Sequence, residues 1–145
     1  MKVSDILQSK GCKVKTVTPD TSARELSVRL HAERIGAMLV SGDGQTIDGI
    51  VTERDLAYGL AAHGGELPTI AVSRLMTKAV VVCSPDDAIT HVMKLMTQLR
   101  VRHVPVKDGD QLVGIVSIGD VLKHRLDELE LEANVMRDYA VAARR

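Results

Sequence analysis

No tryptophan and no phenylalanine occur in the 145 residues, and the only aromatic side chains are Tyr58 and Tyr139. With 45% of residues hydrophobic, the interior must be aliphatic. Modules for single-stranded nucleic acid stack bases on aromatic platforms, so that class is disfavoured. A bound purine would have to lie between aliphatic side chains and be read at its edges by backbone groups. Net charge is missing too: 19 basic and 19 acidic residues cancel, leaving no field to draw the chain to nucleic acid or an anionic membrane. Cys12 and Cys83 fall in segments that read as loop and strand, with neither a CxxC nor a histidine pair. A disulfide framework and a zinc site are therefore not expected. No run approaches 18 apolar residues, and Met1-Lys2-Val3-Ser4-Asp5 lacks the apolar stretch of a signal peptide, which predicts a cytoplasmic protein. Neither a Gly-x-Gly-x-x-Gly nor a P-loop occurs, and no nucleophile and base share a local signature, so no enzyme is expected. His31, His63, His91 and His124 lack ligand spacing. Asp20, Asp86 and Asp87 follow prolines at expected helix starts, where acids complement the helix dipole, so no metal is assigned to them.

What the chain does have is an internal repeat. An offset of 66 sets Pro19-Asp20 on Pro85-Asp86, Leu26 on Val92, Leu30 on Met96, Ile35 on Val101 and Val40 on Val106. After a one-residue deletion in the next turn, Gly49-Ile50-Val51-Thr52 falls on Gly114-Ile115-Val116-Ser117, and Asp55 on Asp120. Upstream, residues 3–7 match 72–76 more loosely. Each unit has a β-branched run (14–17; 80–83), then a helix with apolar positions at i, i+3, i+4 and i+7. A strand (37–40; 104–106), a Gly/Asp turn, a second strand (47–51; 112–116) and a second helix follow. The fold class is therefore α+β, with two β-α-β-β-α repeats at residues 1–66 and 67–126 and a helical extension at 127–145. About 60 residues make a marginal core, so the repeats are expected to pack with a pseudo-twofold and clefts between them.

Thr52-Glu53-Arg54-Asp55 and Ser117-Ile118-Gly119-Asp120 each follow an apolar strand and open a helix. Either serves as a capping box, worth roughly 1 kcal/mol. The same helix start also offers unpaired N–H groups to a phosphate. The Asp would repel phosphate and suits ribose hydroxyls instead, as an acid does in dinucleotide-binding folds. Recurrence at equivalent places favours nucleotide contact while remaining compatible with capping. Opposite Ile35-Gly36-Ala37-Met38 the second repeat carries Val101-Arg102-His103-Val104. The planar fork of Arg102 fits phosphate and His103 can donate to it, whereas both also read as ordinary surface groups. Arg54 is a further candidate that could simply pair with Glu53. Two unequal sites are expected.

The two Ser/Thr-x-x-Asp segments, Gly49-Ile50-Val51-Thr52-Glu53-Arg54-Asp55 and Arg102-His103-Val104-Pro105-Val106 with Gly114-Ile115-Val116-Ser117-Ile118-Gly119-Asp120, resemble a tandem pair of cystathionine-β-synthase-type (CBS) domains. The likeness spans roughly residues 1 to 125 and comes nearest to short bacterial stand-alone pairs. It implies a regulatory module that binds an adenine nucleotide, AMP foremost, with ATP, ADP or NAD(H) as alternatives. It implies ribose held by Asp55 and Asp120, and phosphate near Thr52, Arg54, Ser117, Arg102 and His103. It further implies adenine held by backbone around Thr16, Val17, Gly36, Ala37, Met38, Val82, Val104 and Pro105. The alternative is a structural or interaction module that controls a partner protein without nucleotide.

Beyond Asp120 the helical pattern runs on, with Leu122, Leu126, Leu129, Ala133, Met136 and Ala140 at alternating steps of four and three. This is an a/d seam. It suits packing on its own chain or pairing with a second chain, and a homodimer through the CBS faces and this helix is expected.

Overall fold

Arg34 and Arg100, 66 positions apart, each end an 11-residue helix in the left-handed backbone conformation, at φ 54° and 55°. A residue with a Cβ adopts that region at a cost, so the same exception at matching positions extends the repeat into the backbone. The computed structural model describes residues 1–11 and 13–144. In chain order its elements are α1 (Val3–Lys10), β1 (Thr16–Val17), α2 (Ala23–Glu33), β2 (Ala37–Val40), β3 (Gly49–Thr52), α3 (Glu53–His63), α4 (Ile89–Leu99), β4 (His103–Asp108), β5 (Gln111–Ser117) and α5 (Ile118–Ala143). Short 3₁₀ turns lie at Gly64–Thr69 and Val72–Arg74.

The described chain forms two compact units, one of residues 13–81 and one of residues 1–11 with 82–144. The units and the sequence repeats thus divide the chain at different places. In the first of these units β2 pairs parallel with β1 and antiparallel with β3, with Ala37 opposite Thr52 and Val40 opposite Gly49. Its core is Val17, Leu26, Leu30, Met38, Val40, Val51 and Val72. Val72 belongs to a segment that docks on the turn before α2: Val72 N–H donates to Thr21 O (2.8 Å) and Ser73 N–H to Pro19 O (3.1 Å).

The other unit repeats that docking with α1. Val3 N–H donates to Asp87 O and Ser4 N–H to Pro85 O, both at 2.9 Å. Val3, Ile6 and Leu7 then enter a core with Cys83, Ile89, Val92, Met96, Val104, Val106, Val116 and Val121. Strands β4 and β5 pair antiparallel from His103 opposite Ser117 to Asp108 opposite Gln111, with a register shift at Val106/Lys107. The run 80–83, read as a strand, contributes only Cys83, which bridges Val106 in parallel. β-Branched residues favour a strand only where a partner backbone is in reach, and Val82 is exposed.

Further expectations shift locally. Ser22, not an aspartate, caps α2 by accepting from Glu25 N–H. Asp20 and Asp86 lie before the first helical turns, and Asp87 accepts from Ser84 N–H at 2.8 Å to close a turn ahead of α4. Asp20 instead accepts from the Thr18 hydroxyl, and none of the three stands in a first helical turn. The second strand of the first repeat is Gly49–Thr52, because Asp43 draws the residues before it into a turn. That carboxylate accepts from Gln45 and Thr46 N–H and from the Ser41 and Thr46 hydroxyls. The backbone N–H groups of Thr46 and Gln45, then these hydroxyls, hold it well below the usual carboxylate range. Cys12, read as a loop thiol, lies outside the described residues.

The extension is one helix, α5, of 26 residues, about 39 Å long at 1.5 Å per residue. Val121 is buried, but Leu122, Leu126, Leu129 and Met136 are exposed. Within its own unit, the seam is therefore left largely unpacked. No helix among the described residues is long and apolar enough to cross a membrane.

The docked segments approach strand backbone closely. A Cβ on Gly49 would meet Met76 Sδ at 2.7 Å and the Thr77 carbonyl oxygen at 2.8 Å, whereas the three atoms nearest one on Gly114 all belong to the Leu7 side chain, the nearest at 2.5 Å. Gly49→Ala should lower stability by about 1–3 kcal/mol and Gly114→Ala by less, since a leucine can move where a paired backbone cannot. Urea denaturation of the two variants tests that order.

Candidate functional site

Each Ser/Thr-x-x-Asp segment sits where an apolar strand runs straight into a helix, so its first residue is both the last of the strand and the N-cap. Thr52 ends β3 and caps α3, and Ser117 ends β5 and caps α5. Both form reciprocal capping boxes. Thr52 N–H donates to Asp55 Oδ2 at 2.8 Å and Asp55 N–H to Thr52 Oγ1 at 3.4 Å. Ser117 N–H donates to Asp120 Oδ2 at 2.9 Å and Asp120 N–H to Ser117 Oγ at 3.1 Å. The capping role is therefore present in full at both places. In each case Oδ2 carries the bonds, and among the described residues Oδ1 of Asp55 and of Asp120 accepts none.

The sheets gather the other candidate residues around these caps. In the unit of residues 13–81, Ala37 lies opposite Thr52, and Glu53 N–H donates to Gly36 O at 3.0 Å. Gly36 and Ala37 therefore flank the helix start. Met38 is buried in the core, and Thr16 and Val17 pair with Leu39 and Val40 one strand further away. Arg54 is exposed in the first turn of α3 and makes no ion pair among the described residues.

In the other unit the same arrangement carries cations. His103 lies opposite Ser117, and Ile118 N–H donates to Arg102 O at 2.8 Å. Arg102 is exposed and His103 half-buried beside the cap that holds Asp120. Val104 and Pro105 are buried further along β4, and Val82 precedes the Cys83 bridge. The structure thus places Arg102 and His103 in the same unit as Asp120.

Sequence reasoning missed Lys10. This last residue of α1 donates through Nζ to Asp120 Oδ2 at 2.7 Å and to the Ile115 carbonyl at 2.9 Å. Burial works to raise the Asp120 carboxyl, but hydrogen bonds from Lys10 and from the Ser117 backbone outweigh it, and the net shift is downward. The signal for Lys10 was the loose match of residues 3–7 to 72–76, which marks a segment shared by both units; the segment at 72–76 brings no cation to Asp55. Among the described residues Asp55 bonds only within its own cap.

Cys83 is buried, and burial together with the nearby Asp87 charge pushes its thiol up to about 12. At neutral pH, with nothing bound, that favours the protonated thiol. No cluster of histidine, cysteine and acidic residues among the described residues could hold a metal ion. A concavity of about 660 Å³ lies between the end of α2 and the start of α3, walled by Leu30, His31, Arg34, Ile35 and Glu53. Of the candidate residues it touches Gly36 alone.

An Asp held ionised in the fold adds stability that is complete above its unfolded value and is lost as pH falls through the lower folded value. Lys10→Met should therefore raise the Asp120 titration midpoint and move acid unfolding to higher pH, with the two proteins converging once Asp120 is protonated in both. Carboxyl-detected NMR and circular dichroism against pH check this.

The comparisons agree with the repeat. A family model described as CBS domain matches twice, at residues 3–62 and 72–127. CBS domain-containing protein YhcV of Bacillus subtilis is 29% identical over 126 residues, covering 86% of this chain and 87% of its own. The crystal structure of the CBS-domain containing protein ATU1752 from Agrobacterium tumefaciens is 44% identical with a TM-score of 0.84, covering 86% of this chain and 99% of that one. The CBS domain pair of protein MJ0100, solved in complex with 5-methylthioadenosine and S-adenosyl-L-methionine, is 25% identical with a TM-score of 0.77, covering 88% of this chain and 98% of that one. The chain spans only 24% of the length of two Arabidopsis thaliana CBS-domain proteins, CBSCBSPB5 and CBSCBSPB4, to which it is 30% identical. Each matched segment opens on one of the docking segments, Val3 or Val72, and runs through the cap with its aspartate, so the chain belongs to the CBS-domain family as a tandem pair.

Proposed function

We propose that this CBS pair is a regulatory module that binds an adenosine-containing ligand, with AMP as the leading candidate and ADP, ATP or NAD(H) as alternatives, and that it catalyses no reaction. The observation that carries the reading is the Oδ1 of Asp55 and of Asp120, which accepts no bond among the described residues while Oδ2 is fixed by a capping box at a helix start. An ionised carboxylate oxygen held this way suits a ribose hydroxyl, and the helix start suits phosphate. The MJ0100 pair, solved with two adenosine-containing ligands, supports that choice of chemistry. Arg102 and His103 beside the second cap favour phosphate in that unit, while Gly36 and Ala37 leave the matching place in the first without a cation. The two sites should differ in affinity.

A second reading, a protein-interaction module indifferent to nucleotide, draws on one observation: Lys10 already neutralises Asp120. On that view the two carboxylates are structural caps and nothing more.

Calorimetric titration with AMP, ADP, ATP and NAD(H) separates the readings. The nucleotide reading predicts heat with at least one of them. Asp120→Asn should weaken one site about 10- to 100-fold, the effect of losing a charge-assisted hydrogen bond of ~1.5–3 kcal/mol, and Asp55→Asn should weaken the other. No heat and no thermal shift with any of the four would leave the interaction module as the function.

A further inference from the structure

The face of α5 that binds its own unit and the face that carries the a/d seam are different faces. Val121 is buried and His124, Arg125 and Glu128 are half-buried, tracing one line down the helix. Leu122, Leu126, Leu129, Ala133, Met136 and Ala140 trace another, about 110° around at 3.6 residues per turn, and every one of them is exposed. A seam with Leu122, Leu129 and Met136 at d, and Leu126, Ala133 and Ala140 at a, leaves apolar surface in water along nearly the whole helix.

The flanking charges say what fits. In this register Arg125 and Glu132 are g positions, and Glu130 and Arg137 are e positions. Two parallel copies set each g residue against the e residue five positions on in the other helix. That gives Arg125 opposite the second copy's Glu130 and Glu132 opposite the second copy's Arg137, each repeated by symmetry, all of opposite sign. Glu130, Glu132 and Arg137 make no ion pair within the described residues and are exposed, so they are available; Arg125 is held by Glu128 on its own helix. An antiparallel pair that uses all six seam positions instead sets Glu130 on Glu130, Glu132 on Glu132 and Lys123 on Arg137, like on like. Sliding it by one heptad either way relieves these clashes but leaves two of the six positions unpaired.

We infer that α5 pairs with the α5 of a second copy as a parallel two-stranded coiled coil over residues 122–140, in register, with Arg125–Glu130 and Glu132–Arg137 as its interchain ion pairs. Small residues at a, Ala133 and Ala140, let the helices approach closely toward the C-terminal end. The pairing needs no ligand.

The test uses the full chain with Cys12→Ser to remove a background thiol. Ala133→Cys and Ala140→Cys, introduced singly, should each give a disulfide-linked dimer on mild oxidation, because in-register parallel helices bring like a positions together. Light scattering at tens of micromolar should give a dimer mass for the parent, and Leu126→Glu with Leu129→Glu, added to either cysteine variant, should abolish its cross-link with unchanged far-ultraviolet circular dichroism. Glu132→Arg should weaken the dimer at least several-fold, with partial rescue by Arg137→Glu in the same chain. A monomeric parent would overturn the inference, as would a dimer in which Ala140→Cys cross-links only to Leu122→Cys or in which neither alanine position cross-links.

Discussion

Two backbone hydrogen bonds, repeated once in each unit, fix a segment from elsewhere in the chain onto the turn before a helix. Val3 and Ser4 donate to Asp87 and Pro85, and Val72 and Ser73 donate to Thr21 and Pro19. Everything after depends on that docking. The turn carbonyls would otherwise lack partners, and the cores would lack Val3, Ile6 and Leu7 on one side and Val72 on the other. A repeat of about 60 residues cannot bury enough surface alone. Here each unit completes its core with a segment that the sequence places next to the other repeat.

The docking also reaches the site. α1 is long enough to carry Lys10 from its buried first turn to Asp120, whereas its counterpart at Val72–Arg74 is a single 3₁₀ turn. The same motif is therefore set in two electrostatic surroundings. Asp120 has a lysine on one oxygen and Arg102 and His103 at the start of the neighbouring strand, while among the described residues Asp55 has only its cap, with Gly36 and Ala37 beside it. The two caps thus differ through the length of a helix as well as through the residues near the motif.

Much of this was legible in the sequence because it is local. The apolar periodicity of α2 and α4, the strand at 37–40 and the strand-to-helix switch at Thr52 and Ser117 depend on neighbours within a few positions. The caps were legible as caps for the same reason. What depended on a distant partner was not. The Lys10–Asp120 pair spans 110 positions, and the run at 80–82 has strand composition but pairs with no strand among the described residues. Asp20, Asp86 and Asp87 misled because a Pro-Asp start looks alike whether the acid closes a turn or enters a helix. Arg34 and Arg100 in left-handed caps carried no sequence mark at all.

The central claim is that the two capping boxes are also ligand sites, and the amides of the caps report on it directly. On adding AMP to isotope-labelled protein, two-dimensional NMR should show the largest shifts at the backbone N–H groups of residues 52–55 or 117–120, with Arg102 and His103 following in the second unit. Shifts confined to the concavity around His31 and Arg34, or none at saturating AMP, ADP, ATP and NAD(H), would contradict it and leave Asp55 and Asp120 as helix caps.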